Sequence, residues 1–286
     1  MTHLSRSLSY RICRYSYRFW HKTLRLHAKR PVFKNGSPLT VVLPVIAKDL
    51  DSVAHTLAGI RKHVCHPIDR IILVSPKDEK IAEFARRNDV EHLLETDMLS
   101  DEVLSLNAHT KNARQIGWIR QQMIKMHANE YFEAERVLVC DSDTVIIRDL
   151  SFETPNRKMI LWKTEEYRPT YADMIESLLG YRPVSKMNHV AHVMVFDRAC
   201  MRALKAAITQ HCGENWLSAV KKRIETGGYG DMAEYELYAA FALHTRRDDF
   251  TSRYWYNKKV SREDMANRAD LAEKFRGYNF ISSHIH

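Results

Sequence analysis

Residues 136–147 read RVLVCDSDTVII. Arg136–Cys140 ends in an apolar run, which predicts a buried strand. Asp141-Ser142-Asp143-Thr144 follows, and Val145-Ile146-Ile147 predicts that extended structure then resumes. Two carboxylates two positions apart, just past a buried strand, are costly unless something offsets their charge. Asp-Ser-Asp is also good turn chemistry, so a plain turn is the alternative reading. The segments around the pair decide between the two.

Upstream, apolar runs and helical patterns alternate. Leu39–Ile46 predicts a first buried strand, and Asp51 or Ser52 then caps a helix carrying Val53, Leu57 and Ile60. Arg70–Val74 predicts a second strand. Pro76 and Asp78 open a helix with Ile81, Phe84 and Ala85, and Val90–Leu94 predicts a third strand. Gly117–Tyr131 predicts a longer helix with Ile116, Ile119, Met123 and Met126 on one stripe, leading into the strand at 136–140. This order argues for an α/β fold with a mostly parallel sheet and helices on both faces. Such sheets bind ligands beyond the carboxyl ends of their strands, where Asp141 and Asp143 fall. A hard divalent cation, magnesium or manganese, would offset both charges, with phosphate oxygens completing its shell.

The net charge of +9 has one source. Residues 1–34 carry nine Lys or Arg and no Asp or Glu, which leaves 35 basic and 35 acidic residues in the rest. A nucleic-acid binder would spread positive charge over its folded part, so a basic-tailed nucleic-acid module is a secondary reading. Leu4, Leu8, Ile12, Tyr15 and Phe19 share one helical face, with Arg11, Arg14, Arg18, Lys22 and Arg25 around them. With Tyr10, Tyr17 and Trp20 as headgroup-level rings, this predicts an amphipathic helix on an anionic membrane surface. A solvated tail, a helix docked on its own domain and a mitochondrial targeting peptide share this composition. Pro31 and the cluster Asn35-Gly36-Ser37-Pro38 mark the boundary, giving a basic segment 1–36 and a domain 37–286, divided at 155/156. No apolar run reaches membrane-spanning length. The five cysteines are odd in number and form no CxxC pair, which fits a reducing compartment rather than a zinc cage or disulfide framework. The N-terminus does not read as a secretory signal, so the expected place is cytoplasmic, peripheral on the inner face of the membrane.

Two enzyme classes place an acidic pair at this point. VLVCDSDTV (137–145) satisfies the first motif of haloacid dehalogenase-like phosphatases, with Asp141 as nucleophile and Asp143 as acid/base. Against that reading, a long α/β stretch precedes the motif, no cap follows it, and no apolar strand leads to a later acidic pair. The stretch Ala113–Phe152, with GWIRQQ and DSDT, resembles GT-A glycosyltransferases, above all a bacterial polysaccharide- and lipopolysaccharide-type group, and more distantly the glycogenin-like transferases. The resemblance implies a GT-A, Rossmann-like domain that moves sugar from a nucleotide-sugar donor to a glycan or lipid-linked acceptor. It also implies a divalent metal, magnesium or manganese. Carried over, Asp143 would coordinate the metal, Asp141 the ribose or the metal's water, and Arg120 the donor's phosphates or nucleoside. Ser142 lies within the same donor-binding turn. Pro44, Val45, Lys48 and Asp49 leave the first strand where this fold holds the base, and Ser75 follows the second.

The later half is less regular. Met159–Trp162 predicts a strand, and HVAHVMVFD (189–197) an apolar run with two histidines, of which His192 is a candidate for acceptor or metal. Asp231 and Glu234 are spaced as a capping box within GGYGDMAEYELY (227–238). The resembling group has a similar run, and inverting GT-A enzymes place a base at the start of a comparable helix. Glu234 is the first choice for that base, Asp231 the second, with Glu236 a weaker acceptor or metal candidate. His284, in the terminal Ser-Ser-His-Ile-His, would complete the metal shell.

Overall fold

The computed structural model describes residues 3–24, 32–105, 113–183, 185, 187–226, 232–266 and 271–283. The strands run in chain order β1 (Leu39–Pro44), β2 (Ile68–Ser75), β3 (Glu91–Leu94), β4 (Arg136–Cys140), β5 (Thr144–Ile146), β6 (Met159–Lys163), β7 (Val193–Asp197), β8 (Phe250–Tyr254), β9 (Asn257–Lys259) and β10 (Phe280–Ser282). The chain forms two units: Val32–Arg157, His192–Ala203 and Tyr256–His286 make the larger, and Met1–Pro31, Lys158–Ala191 and Leu204–Trp255 the smaller.

The larger unit has the α/β architecture expected from the sequence. Its central sheet has the order β3-β2-β1-β4-β7. The first four strands are parallel, and β7 joins β4 antiparallel. Every residue of β1 is buried, as is Val137–Cys140 of β4. Strands covered on both faces read as unbroken apolar runs, which is why both were visible in the sequence. The connecting helices are Leu50–His63, Glu79–Arg87 and Ala113–Tyr131. Asp78 caps the second of these, its carboxylate accepting the Lys80 N–H at 2.8 Å. The first is preceded by Asp49 at the cap position, not by Asp51 or Ser52. A short 3-10 turn, Ala47–Asp49, intervenes and starts the helix earlier than the apolar pattern does.

After β4 the chain changes sheets. The run 145–147 does not extend the central sheet. Thr144–Ile146 pairs antiparallel with β10, which pairs in parallel with β9. Val145, Ile147, Met265, Leu271, Phe275 and Ile281 form a small separate core there. The Asp-Ser-Asp turn is therefore the corner between two sheets. Gly59 lets the helix Leu50–His63 lie close to that corner, because a Cβ there would sit 2.5 Å from the Ile146 carbonyl oxygen.

The smaller unit contains the parallel pair β6–β8 and the helices Pro169–Leu179, Trp216–Thr226 and Glu234–Thr245. The capping box expected at Asp231 and Glu234 does not form. Ala233, in extended conformation, holds the cap position, so Glu234 is the first helical residue and not the third. Asp231 and Gly227–Gly230 lie outside the described residues.

Candidate active site

The sheet order 3-2-1-4 reverses direction between β1 and β4. At such a switch point the two chain exits leave in opposite directions and open a crevice at the carboxyl edge. Asp49 follows β1 and Asp141–Asp143 follows β4, and a hydrogen bond joins these exits: the Ser142 hydroxyl donates to Asp49 Oδ2 at 3.3 Å. The other Asp49 oxygen takes Arg262 Nη2 at 2.5 Å, and Arg262 also donates to the Lys48 carbonyl at 3.2 Å. Thr56 donates to the Ser142 carbonyl at 3.2 Å and fixes the turn from the helix side.

Asp141 is held from two directions. Lys125 Nζ donates to its Oδ1 at 2.5 Å. Cys140 pairs with Val193 across the β4–β7 ladder, so the next residues along, Asp141 and His192, face each other. The Asp141 N–H donates to the His192 carbonyl at 2.9 Å, and His192 Nδ1 lies 2.7 Å from Asp141 Oδ2. Burial alone would raise the Asp141 pKa, but the Lys125 ammonium and the His192 ring outweigh it and hold the carboxyl well below the usual carboxylate range. His192 adopts a left-handed backbone at φ 57°, a conformation that costs a non-glycine residue about 1 kcal/mol or more and gathers at functional sites. Thr144 N–H closes the turn on the Asp141 carbonyl at 3.1 Å, and Ser283 N–H donates to the Asp143 carbonyl at 3.1 Å. The chain's last described residues are thus packed against the acidic pair. His284 itself lies outside the described residues.

Two other candidates of the larger unit, Arg120 and Ser75, have protein partners. Arg120, on the GWIRQQ helix, pairs with Glu95 at 2.5 Å, just past the end of β3. The Ser75 hydroxyl donates to the Pro76 carbonyl at 2.7 Å and lies 2.8 Å from His92 Nε2. Pro44 and Val45 are buried, and Lys48 is exposed. Glu234 and Glu236 belong to the smaller unit, and both are buried. Glu236 accepts the His189 N–H at 2.6 Å and lies 3.2 Å from His189 Nδ1, whose ring meets Ser252 Oγ at 3.1 Å through Nε2. Nearby, burial pushes the Tyr171 phenol up to about 12; the Arg168 charge opposes this, while the Glu234, Glu166 and Glu236 carboxylates add to it.

Sequence reading missed Lys125, Arg262 and Glu95. The one available signal was Lys125 itself, a single lysine in the apolar run Met123-Ile124-Lys125-Met126 just upstream of an uncompensated acidic pair.

A divalent cation is what the sequence resemblance implies at this turn. Among the described residues no group of three or more His, Cys, Asp or Glu side chains is placed to hold one. Both Asp141 oxygens are already engaged, by an ammonium and an imidazole. The described side chains alone do not fit a metal site.

Residues 38–280 match a family model described as a family of unknown function, DUF6492. The chain belongs to the DUF6492 family. The matched range spans the central sheet and the Asp141–Asp143 turn and ends at Phe280, the first residue of β10. No curated protein is significantly similar to this DUF6492 chain in sequence. Among solved structures, mouse xyloside xylosyltransferase 1 in its apo form is similar with a TM-score of 0.47 and 10% identity, over 87% of this chain and 98% of that one. The bifunctional glycosyltransferase WbbM, also apo, is similar at 0.46 and 12% identity, over 90% of this chain and 47% of that one. The galactosyltransferase LgtC, in complex with donor and acceptor sugar analogues, is similar at 0.43 and 12% identity, over 86% of this chain and 87% of that one.

Proposed function

We propose that this chain is a glycosyltransferase that binds a nucleotide-sugar donor at the β1/β4 crevice and passes the sugar to a glycan or glycolipid acceptor, in bacterial surface polysaccharide synthesis. The observation that carries the reading is the placement of Asp141-Ser142-Asp143 at the topological switch point, with Asp141 fixed as an anion by Lys125 and His192. The resemblance of residues 113–152 to GT-A enzymes supplies the substrate class.

The chemistry follows from the groups present. An ionised carboxylate is acceptor-only and its two oxygens offer about four lone-pair sites, so Asp141 can accept the hydroxyls of a ribose alongside Lys125 and His192. Its position is pre-set by two partners, so binding needs no reorganisation of the charge. Asp49, held by Ser142 and Arg262, offers a second fixed acceptor at the exit of β1, where a nucleoside base would lie. Glu234, buried at the first turn of its helix in the smaller unit, is our choice for the group that takes the acceptor hydroxyl's proton in an inverting transfer. The phosphatase alternative is disfavoured because a long α/β stretch precedes the acidic turn and the chain passes from that turn directly into β5, with no cap inserted.

Nucleotide binding tests the reading without knowledge of the sugar. One of UDP, GDP, CMP and ADP should raise the thermal unfolding midpoint, since ligand at a hundredfold over its Kd adds about 2.7 kcal/mol to the folded state. Parallel runs with manganese and with a chelator report whether a cation takes part. Unchanged midpoints with all four nucleotides, under both conditions, would sink the donor assignment.

A further inference from the structure

The N-terminal helix His3–Arg18 continues into a π-helical turn, Phe19–Thr23, and within the smaller unit one of its sides is packed. The Tyr10 ring lies 5.4 Å from Tyr167, and the Tyr17 ring lies 5.4 Å from Tyr254. His21 is buried and stacks on Tyr254 at 5.0 Å, with the planes 7° apart. Arg18 and Lys22 converge on Glu165 at 3.3 and 2.7 Å. Tyr10 and Tyr17, expected from the sequence to meet lipid, are therefore used for packing.

The other side is bare. Ile12, Tyr15 and Phe19 are exposed to 59, 72 and 52%, at steps of three and four that place them on one helical face, and the adjacent Trp20 is exposed to 49% beside them. Contiguous exposed rings of this kind mark interaction surfaces. The charge of the segment selects the partner. Residues 1–34 hold nine basic and no acidic residues, while the remaining chain is neutral. An apolar protein groove would complement the rings and leave unanswered the segment's charges other than Arg18 and Lys22, which already pair with Glu165. A layer of anionic headgroups over acyl chains complements both.

We infer that the face Ile12–Tyr15–Phe19–Trp20 is a docking surface for an anionic lipid bilayer, with the helix lying in the interface plane and its opposite side fastened to the smaller unit. The rings enter the headgroup boundary, and basic side chains of the segment other than Arg18 and Lys22, which Glu165 holds, meet lipid phosphates. Docking of this kind would hold the chain at the surface where a lipid-linked acceptor resides.

Point variants test this better than truncation, because removing the helix would strip Tyr254 and Glu165 of their partners. The full-length protein is sedimented with phosphatidylcholine vesicles and with vesicles that also contain phosphatidylglycerol. The wild type should partition only onto the anionic vesicles, less as salt rises. The variant Ile12→Asp/Phe19→Asp should lose about tenfold or more of that partitioning at an unchanged unfolding midpoint. No partitioning of the wild type would overturn the inference, as would equal partitioning of the variant. Full displacement from vesicles by a short RNA duplex, in wild type and variant alike, would also overturn it and mark the segment as a nonspecific polyanion tail.

Discussion

Replacing Lys125 by Met should destabilise the protein by about 3–5 kcal/mol, the range for stranding one member of a buried ion pair. The side chains are 3% exposed for Lys125 and 15% for Asp141, so water can do little to replace the lost ammonium. His192 would be left as the one cation or donor of this pair of partners on Asp141. Denaturant unfolding at neutral pH measures the loss. The pH dependence separates this cause from simple loss of packing. In the wild type the Asp141 pKa is depressed, so its stabilising contribution is present above the unfolded carboxylate value and fades as pH falls below about 4. In the variant burial dominates and the folded pKa rises, so protonation on acidification relieves the stranded charge. The stability gap between the two proteins should therefore narrow as pH falls from 7 toward 4. A gap that stays constant over that range would mean Lys125 contributes packing only.

Asp143→Asn should lower turnover about 10²–10³-fold, the scale for removing one preorganised electrostatic group from an active site. The fold should survive this change. Asp143 meets Ser283 through its backbone carbonyl, which the substitution leaves in place, and its side chain is partly exposed. An unfolding midpoint close to the wild type, together with the loss of turnover, identifies a functional carboxylate. Comparable turnover in Asp143→Asn would reduce the second aspartate to turn chemistry. Combining Lys125→Met with Asp141→Asn tests the pairing on the stability side, since removing both charges should cost less than the sum of the single changes.

The most legible parts of the fold are the strands whose burial is complete. Strands β1 and β4 appeared as apolar runs within a few residues of their true ends, because strands covered on both faces leave no alternation to misread, whereas β2 is buried only over Ile72–Ser75 and β3 is partly exposed, so those two were placed by their position in the alternation with helices. Short strands with few residues to average were not legible. Phe280–Ser282 carried no strand signal of its own, yet it pairs with β5 and brings Ser283 to the acidic turn. The run 189–197 looked uniform, but the ladder starts only at Val193, and the left-handed backbone of His192 has no signature in a residue that is not glycine. The helix Ala113–Tyr131 looked amphipathic, whereas Gln122, Lys125 and Asn129 are buried along with its apolar stripe. The apolar stripe gave no sign that those polar residues are buried too. Their burial depends on long-range partners, such as the Phe196 carbonyl that receives the Asn129 amide at 2.9 Å, and Asp141 for Lys125. The acidic pair was legible because its cost is local. What offsets it, a lysine sixteen positions upstream and a histidine from the far side of a β-ladder, was not.

The central claim is that Asp141–Asp143 marks a donor site for sugar transfer. Its most direct test is to incubate the full-length protein with a panel of nucleotide sugars and measure the free nucleotide released by transfer to water or acceptor. Release from the nucleotide sugars of one base, lost in Asp143→Asn, is the expected result. No release from any donor, with hydrolysis of phosphate monoesters and a trapped phosphoaspartate at Asp141 instead, would contradict it.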